Sequence, residues 1–204
     1  KHGSLLTIML VIVIIGIIAI LGYFGYQWIA VNNIENAAKD AADQFDSQHP
    51  TVLVADENGT AVEGTLNGVE VNETESTTKK VMLEGYEVIG TVRIPSISVK
   101  YPILAQVTKK SLETAIALLY TEKGLNKPGN TVIIGHNYKN NQFFSKNDQI
   151  KKGASVYIKD TTGVELKYIV KDKFEAASSD ASFYQSKDYS KTRIILSTCT
   201  DDIA

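Results

Sequence analysis

From Leu5 to Ala30 the chain reads LLTIMLVIVIIGIIAILGYFGYQWIA, without one charged side chain. About 20 apolar residues in a helix cross a bilayer core, and this run is longer. In hydrocarbon the backbone must satisfy its own hydrogen bonds, so a single span has to be a helix. Tyr23, Tyr26 and Trp28 cluster at its far end, where an interfacial aromatic belt sits. A cleaved signal peptide has an apolar region of only about 7–15 residues closed by small side chains. The length and the aromatic end favour an uncleaved anchor. Lys1 precedes the span, and Glu35, Lys39 and Asp40 follow it. The positive-inside rule therefore predicts residues 1–30 as a cytoplasmic stub and transmembrane anchor, with the remaining bulk outside the cell membrane. The chain starts at Lys1 and not at Met, so further N-terminal residues are expected upstream.

Residues 31–78 carry ten acidic side chains against the single Lys39. Such a segment is poor in large apolar residues and reads as a solvated juxtamembrane stalk or linker, assigned here to 31–85. Within it, Asn33–Gln48 has Ile34, Ala37, Ala38, Ala41, Ala42 and Phe45 at helical spacing, ended by His49-Pro50. Asn58-Gly59 and Asn67-Gly68 are turn signals. Asn58-Gly59-Thr60 and Asn72-Glu73-Thr74 match the glycosylation sequon, a pattern short enough to arise by chance. The net charge of −2 shows no basic stripe, which argues against a nucleic-acid partner.

The globular part, 86–204, is a series of short strands. Val88–Ile94 reads as a strand stopped by Pro95, and Ile97–Ile103 as a second in which Pro102 marks an edge or a bulge. Thr108 caps a predicted helix whose Leu112, Ala115, Ile116 and Leu119 share one face. Lys127-Pro128-Gly129-Asn130 turns the chain into a strand ending at Gly135-His136. After a polar loop holding Phe143 and Phe144, the stretches 154–159 and 164–174 form a hairpin across Asp160-Thr161-Thr162-Gly163. A polar loop, 175–191, leads into Thr192–Cys199. Many short strands with one or two helices predict a mostly-β barrel or sandwich.

Cys199 is the one cysteine in the chain, at the end of an apolar, β-branched run that meets Thr200-Asp201-Asp202. A free thiol often serves as a small buried hydrophobe. His136 holds the mirrored position, ending its own apolar strand before a polar loop. His2 and His49 lie beside the membrane and in the stalk. An imidazole beside a thiol is the ordinary way to make thiolate available at neutral pH. The pairing of two strand ends in an anchored domain therefore points to a nucleophile and its acid/base partner. One Cys and one usable His do not make a zinc set, so no metal is predicted.

Three segments carry a resemblance: Gly90-Thr91-Val92-Arg93-Ile94-Pro95 with Tyr101-Pro102-Ile103; Pro128-Gly129-Asn130 through Gly135-His136-Asn137; and Leu196-Ser197-Thr198-Cys199. In this order and spacing the chain resembles a sortase, the membrane-anchored cysteine transpeptidases of Gram-positive bacteria. The family signature TLxTC has Ile195 in place of its first Thr here, with Leu196, Thr198 and Cys199 kept. The resemblance implies an eight-stranded β-barrel with short helices behind one N-terminal transmembrane helix. It implies Cys199 as nucleophile, His136 as general acid then base, and Thr198 as a substrate-positioning residue. The implied partners are an LPxTG-like sorting-signal peptide and an amine acceptor, either a cell-wall precursor or a pilin lysine. No cofactor is implied; calcium activates some relatives, and no carboxylate set here predicts it. Gly135-His136-Asn137 followed by Phe143-Phe144 is similar to class B members, yet 175–191 is short and polar for the long helix typical of that class. The subclass stays open. Two other readings stand beside transpeptidation: a cysteine endopeptidase on the same fold, and a non-catalytic anchored binding module.

Sortases add an arginine from the strand after the cysteine. Neither arginine of this chain fits that role. Arg93 lies in the first strand of the domain, and Arg193 is six residues before Cys199, about 20 Å along a strand. The expectation is a chain cut short at both ends, with its final strand and its arginine beyond Ala204 and with activity reduced roughly 10²–10³-fold in their absence.

Overall fold

The computed structural model describes residues 2–51, 54–55, 61–62, 80–138, 140–184 and 190–200. The chain divides into two compact units, Lys1–Ala37 and Ala38–Ala204. The first unit consists of helix: α1 spans His2–Gln48, and its apolar window is long and hydrophobic enough to cross a bilayer. From Leu6 to Ile29 its large side chains are exposed, Trp28 and Phe24 among them. An apolar helix with no protein around it is stable in lipid, not in water.

The second unit begins inside α1. Ala38, Ala42 and Phe45 are each 0% exposed, and Ala38, Ala41 and Phe45 belong to the same apolar cluster as Val88, Val92, Ile103 and Phe144. The 33–48 segment read as a solvated stalk thus has one face in the core. Its Ala-rich composition is the reason: small side chains let the helix lie close, and Phe45 fills the space beneath. Burying one such phenylalanine contributes about 1.5–3 kcal/mol. The helix end is also held by charge. Asp46 Oδ1 accepts from Thr91 Oγ1 (3.0 Å) and lies 3.3 Å from Lys159 Nζ, while Asp46 Oδ2 is 2.6 Å from Lys100 Nζ. Burial pushes the Asp46 carboxyl up, but the Lys100 hydrogen bond, the Lys159 charge and the Thr91 hydroxyl outweigh it and hold the group below its ordinary value.

Two strands follow, β1 (Val54–Ala55) and β2 (Ala61–Val62), paired antiparallel. The turns at Asn58-Gly59 and Asn67-Gly68, and both sequons, lie outside the described residues. Eight further strands make one sheet: β3 (Met82–Leu83), β4 (Tyr86–Ile94), β5 (Val99–Leu104), β6 (Ile116–Thr121), β7 (Gly129–Ile134), β8 (Ser155–Asp160), β9 (Glu165–Ile169) and β10 (Thr192–Ser197). Their order is β10-β7-β6-β5-β4-β8-β9, with β3 on β4, and the sheet curls into a nearly closed barrel with short helices. The mostly-β expectation holds.

Local chemistry explains most boundaries. Pro95 ends β4 and opens a 3₁₀ turn whose last residue, Ser98, is left-handed at φ 55°. β6 pairs with β5 only at Ile103 and Leu104, so Pro102 stands where β5 has β4 alone beside it, as a strand proline requires. At the β8–β9 turn, Asp160 Oδ1 accepts from the backbone N–H and hydroxyl of Thr162 (2.9 and 2.6 Å), and Gly163 takes φ 81°. Thr108 caps α2 (Lys109–Thr114) in a reciprocal box with Ser111.

One prediction fails there. The apolar run after Thr114 does not continue the helix; Ile116–Thr121 is strand β6, between β5 and β7. A short apolar run fits either period, and strand pairing on both sides decides it.

Candidate active site

Strands β7 and β10 run parallel, in register from Thr192↔Gly129 to Ser197↔Ile134. Continued by two residues, that register sets Cys199 opposite His136. Polar bonds carry it past the strand ends: Gly135 N donates to Ser197 O (3.2 Å), Thr198 Oγ1 to Gly135 O (2.8 Å), and Asn137 Nδ2 to Cys199 O (3.1 Å). Neighbouring strands lie about 4.8 Å apart. The histidine and cysteine that the sequence singles out, 63 residues apart, therefore share one end of the sheet.

The two residues differ in setting. Cys199 is a free, exposed thiol, not packed as a core hydrophobe. His136 is half-buried, and its ring stacks on Tyr138 with centroids 4.7 Å apart. β7 itself is almost wholly buried, so the strand that carries His136 is fixed before the chain reaches the surface. Gly135 allows the last step. A Cβ there would sit 2.7 Å from Ile116 Cγ2 and 3.0 Å from the Phe144 ring, too near for either to stay in place. Behind the site, the loop read as polar drives Phe143 and Phe144 into the core, at 1% and 0% exposure. Phe144 N in turn donates to His136 O (3.2 Å).

Thr198 also reaches this site, but its hydroxyl proton is committed to Gly135 O, so its first role is to brace the two strand ends. Its oxygen still has acceptor capacity. Arg93 is engaged elsewhere: Nη2 meets Glu165 Oε1 at 2.9 Å and the guanidinium lies 4.0 Å over the Tyr157 ring. In the sheet order β7, β6 and β5 separate its strand from β10. Arg193 pairs with Asn130 near the start of β10, the end remote from Cys199. Among the described residues no three His, Cys, Asp or Glu side chains are grouped to share a metal ion.

Asn137 and Tyr138 were missed as site residues. The available signal was alternation: past β7, residues i and i+2 keep one side of an extended chain, which places Tyr138 with His136.

A sortase-domain family model matches residues 92–204. Sortase A of Bacillus anthracis is 32% identical over 118 residues, 57% of this chain and 54% of that protein, so the chain spans about half the length of this curated relative. Among solved structures, a Clostridium perfringens sortase D5 transpeptidase superposes with a TM-score of 0.57 at 20% identity, covering 81% of this chain and 91% of that one. Sortase A of Corynebacterium diphtheriae gives 0.53 at 21%, covering 83% and 78%. At such identity these two speak for the fold. The family match takes in both strand ends of the site and more than half of the 204 residues, and on that ground the chain belongs to the sortase family.

Proposed function

We propose that this chain is a cysteine transpeptidase that cleaves an LPxTG-like sorting signal and passes the carried protein to an amine. The observation that carries the reading is the in-register meeting of an exposed Cys199 with His136 at the ends of β7 and β10, tied by the Asn137 bond to the Cys199 carbonyl. Cys199 Sγ attacks the carbonyl carbon of the signal's Thr, and a thioester forms as the Thr–Gly C–N bond breaks. His136 gives a proton to the leaving amine. The acceptor amine then attacks the thioester and loses a proton to His136, and the thiolate leaves. General acid/base help of this kind contributes roughly 10²–10⁴-fold. Thr198 supports the substrate through the strand-end brace. The 1–30 helix is the anchor, and the domain lies outside the membrane, where cell-wall precursors or pilin lysines supply the amine.

The test uses the full chain in detergent micelles, an LPxTG peptide and a glycine-based amine. Transpeptidation predicts a ligated product that grows with amine concentration. Cleavage with no ligation at any amine concentration identifies an endopeptidase. No covalent adduct even on prolonged incubation with excess peptide identifies a binding module.

A further inference from the structure

His136 is joined to the core by a chain of rings. Its imidazole stacks on Tyr138 at 4.7 Å and 28°. The Tyr138 ring in turn meets Phe143 at 5.9 Å and 56°, and Phe143 meets Tyr101 of β5 at 5.4 Å and 53°. Phe143 is 1% exposed and takes a left-handed φ of 49°, a conformation an aromatic residue keeps only where its surroundings hold it. The backbone on either side is pinned as well. Tyr138 N donates to Ser145 Oγ (3.1 Å), and Phe144 N donates to His136 O. Tyr101, Phe143, Tyr138 and His136 thus form one continuous run of ring contacts from barrel interior to site, tilted at Phe143 and stacked at His136.

We propose that Tyr138 is a positioning residue for His136, its ring fixing the orientation of the imidazole that exchanges protons with the amine. The inference rests on the acid/base reading of His136. An unsupported histidine samples three χ1 wells and a broad, roughly two-fold χ2, and few of these place a ring nitrogen within reach of the proton it must move. Stacking removes most of those alternatives. The ring acts, not the hydroxyl: burial, then the charge of Glu113, holds the phenol above its ordinary value, so it stays protonated at neutral pH.

The experiment needs a readout that does not depend on turnover. The chain has three histidines, so histidine-selective labelling of the full chain in micelles gives three ring signals. His49, stacked on Phe45 at 4.1 Å, is the internal reference. Tyr138→Ala and Tyr138→Leu should both move the His136 ring signals downfield, by loss of the tyrosine ring current, and leave those of His49 in place. Tyr138→Phe should move neither. In single-turnover acylation by an LPxTG peptide, the Ala and Leu variants should lose roughly three- to tenfold in maximal rate, the factor set by the released orientations. The half-saturating peptide concentration should stay within about twofold, and Phe should restore the rate. Unmoved His136 signals in both ring-less variants overturn the proposal. So does a rise in half-saturating peptide with the maximal rate intact, which would make Tyr138 a peptide contact. Failure of Phe to restore the rate would assign the role to the hydroxyl and also overturn it. If the wild-type chain is never acylated, the transpeptidase reading fails, and the ring signals still decide whether the stack on His136 that the proposal needs exists in solution.

Discussion

The two flanks of the barrel are built by opposite means. On the β4–β5–β8 flank, Val92, Ile94, Ile103 and Ile158 are fully buried, the α1 end lies in the core, and Asp46 gathers Thr91, Lys100 and Lys159. On the other flank, β10 pairs among the described residues only with β7, and not one of its six residues is fully buried. The site stands at the tip of this lighter flank, where polar bonds from Gly135, Thr198 and Asn137 do the holding. Among the described residues the site therefore takes its rigidity from β7, which is buried along its length, more than from β10. Regions that bind and react are commonly drawn from the less stable parts of a fold.

The contrast is broken most severely at Phe45. Phe45→Ala removes a fully buried ring from beneath the heavy flank and should cost about 3–5 kcal/mol. Urea unfolding of the full chain in micelles measures it. Ile195→Ala on β10, only half-buried, should cost about 1 kcal/mol by the same assay, in proportion to its smaller buried area. Equal losses would mean the two flanks are not different.

Asp46→Asn comes next. Lys159, with a side chain only 7% exposed, loses its counter-ion. Screening at Asp46, which is 26% exposed, moderates the loss to about 2 kcal/mol. Because the Asp46 carboxyl titrates below its ordinary value of 3.8, its stabilisation is complete well above pH 3.8 and is lost as pH falls through the lower, folded value. Urea midpoints followed from pH 7 down to 3 should therefore fall less steeply in Asp46→Asn than in wild type. Parallel slopes would remove Asp46 from the clamp.

Asn137→Ala should have the smallest effect on stability, about 1 kcal/mol or less, since the bond it removes to the Cys199 carbonyl is exposed. It should nonetheless slow acylation of Cys199 several-fold, because the bond ties the nucleophile's carbonyl to the His136 loop. Peptide acylation rates set against urea midpoints separate the two effects.

The heavy flank was legible where local chemistry writes the structure. Pro95, the Asp160–Gly163 turn and the Thr108 cap each act within a few residues, and each stands where its composition places it. What escaped depends on distant partners. Ile116–Thr121 is a strand because β5 and β7 bracket it, and no pattern inside those six residues says so. The end of α1 reads as solvated because of its Asp40, Asp43 and Asp46, while Lys100 and Lys159, which pair with Asp43 and Asp46, lie 54 or more residues away. At the site, the cysteine and histidine were readable as strand ends of unusual chemistry. Asn137 and Tyr138 were not: alternation past β7 sets Tyr138 on the side of His136, but that signal is weak in a polar loop, and Asn137 carries no sign at all until the loop is folded back on Phe143 and Phe144.

The central claim is that Cys199, served by His136, forms a thioester with a sorting signal. Intact-mass spectrometry of the full chain in micelles with an excess of LPxTG peptide tests it directly. The predicted result is an adduct with the mass of the peptide up to its threonyl residue, absent in Cys199→Ala and at least about 10²-fold slower to form in His136→Ala. An adduct of the same mass on Cys199→Ala, or equal rates with and without His136, would contradict the account.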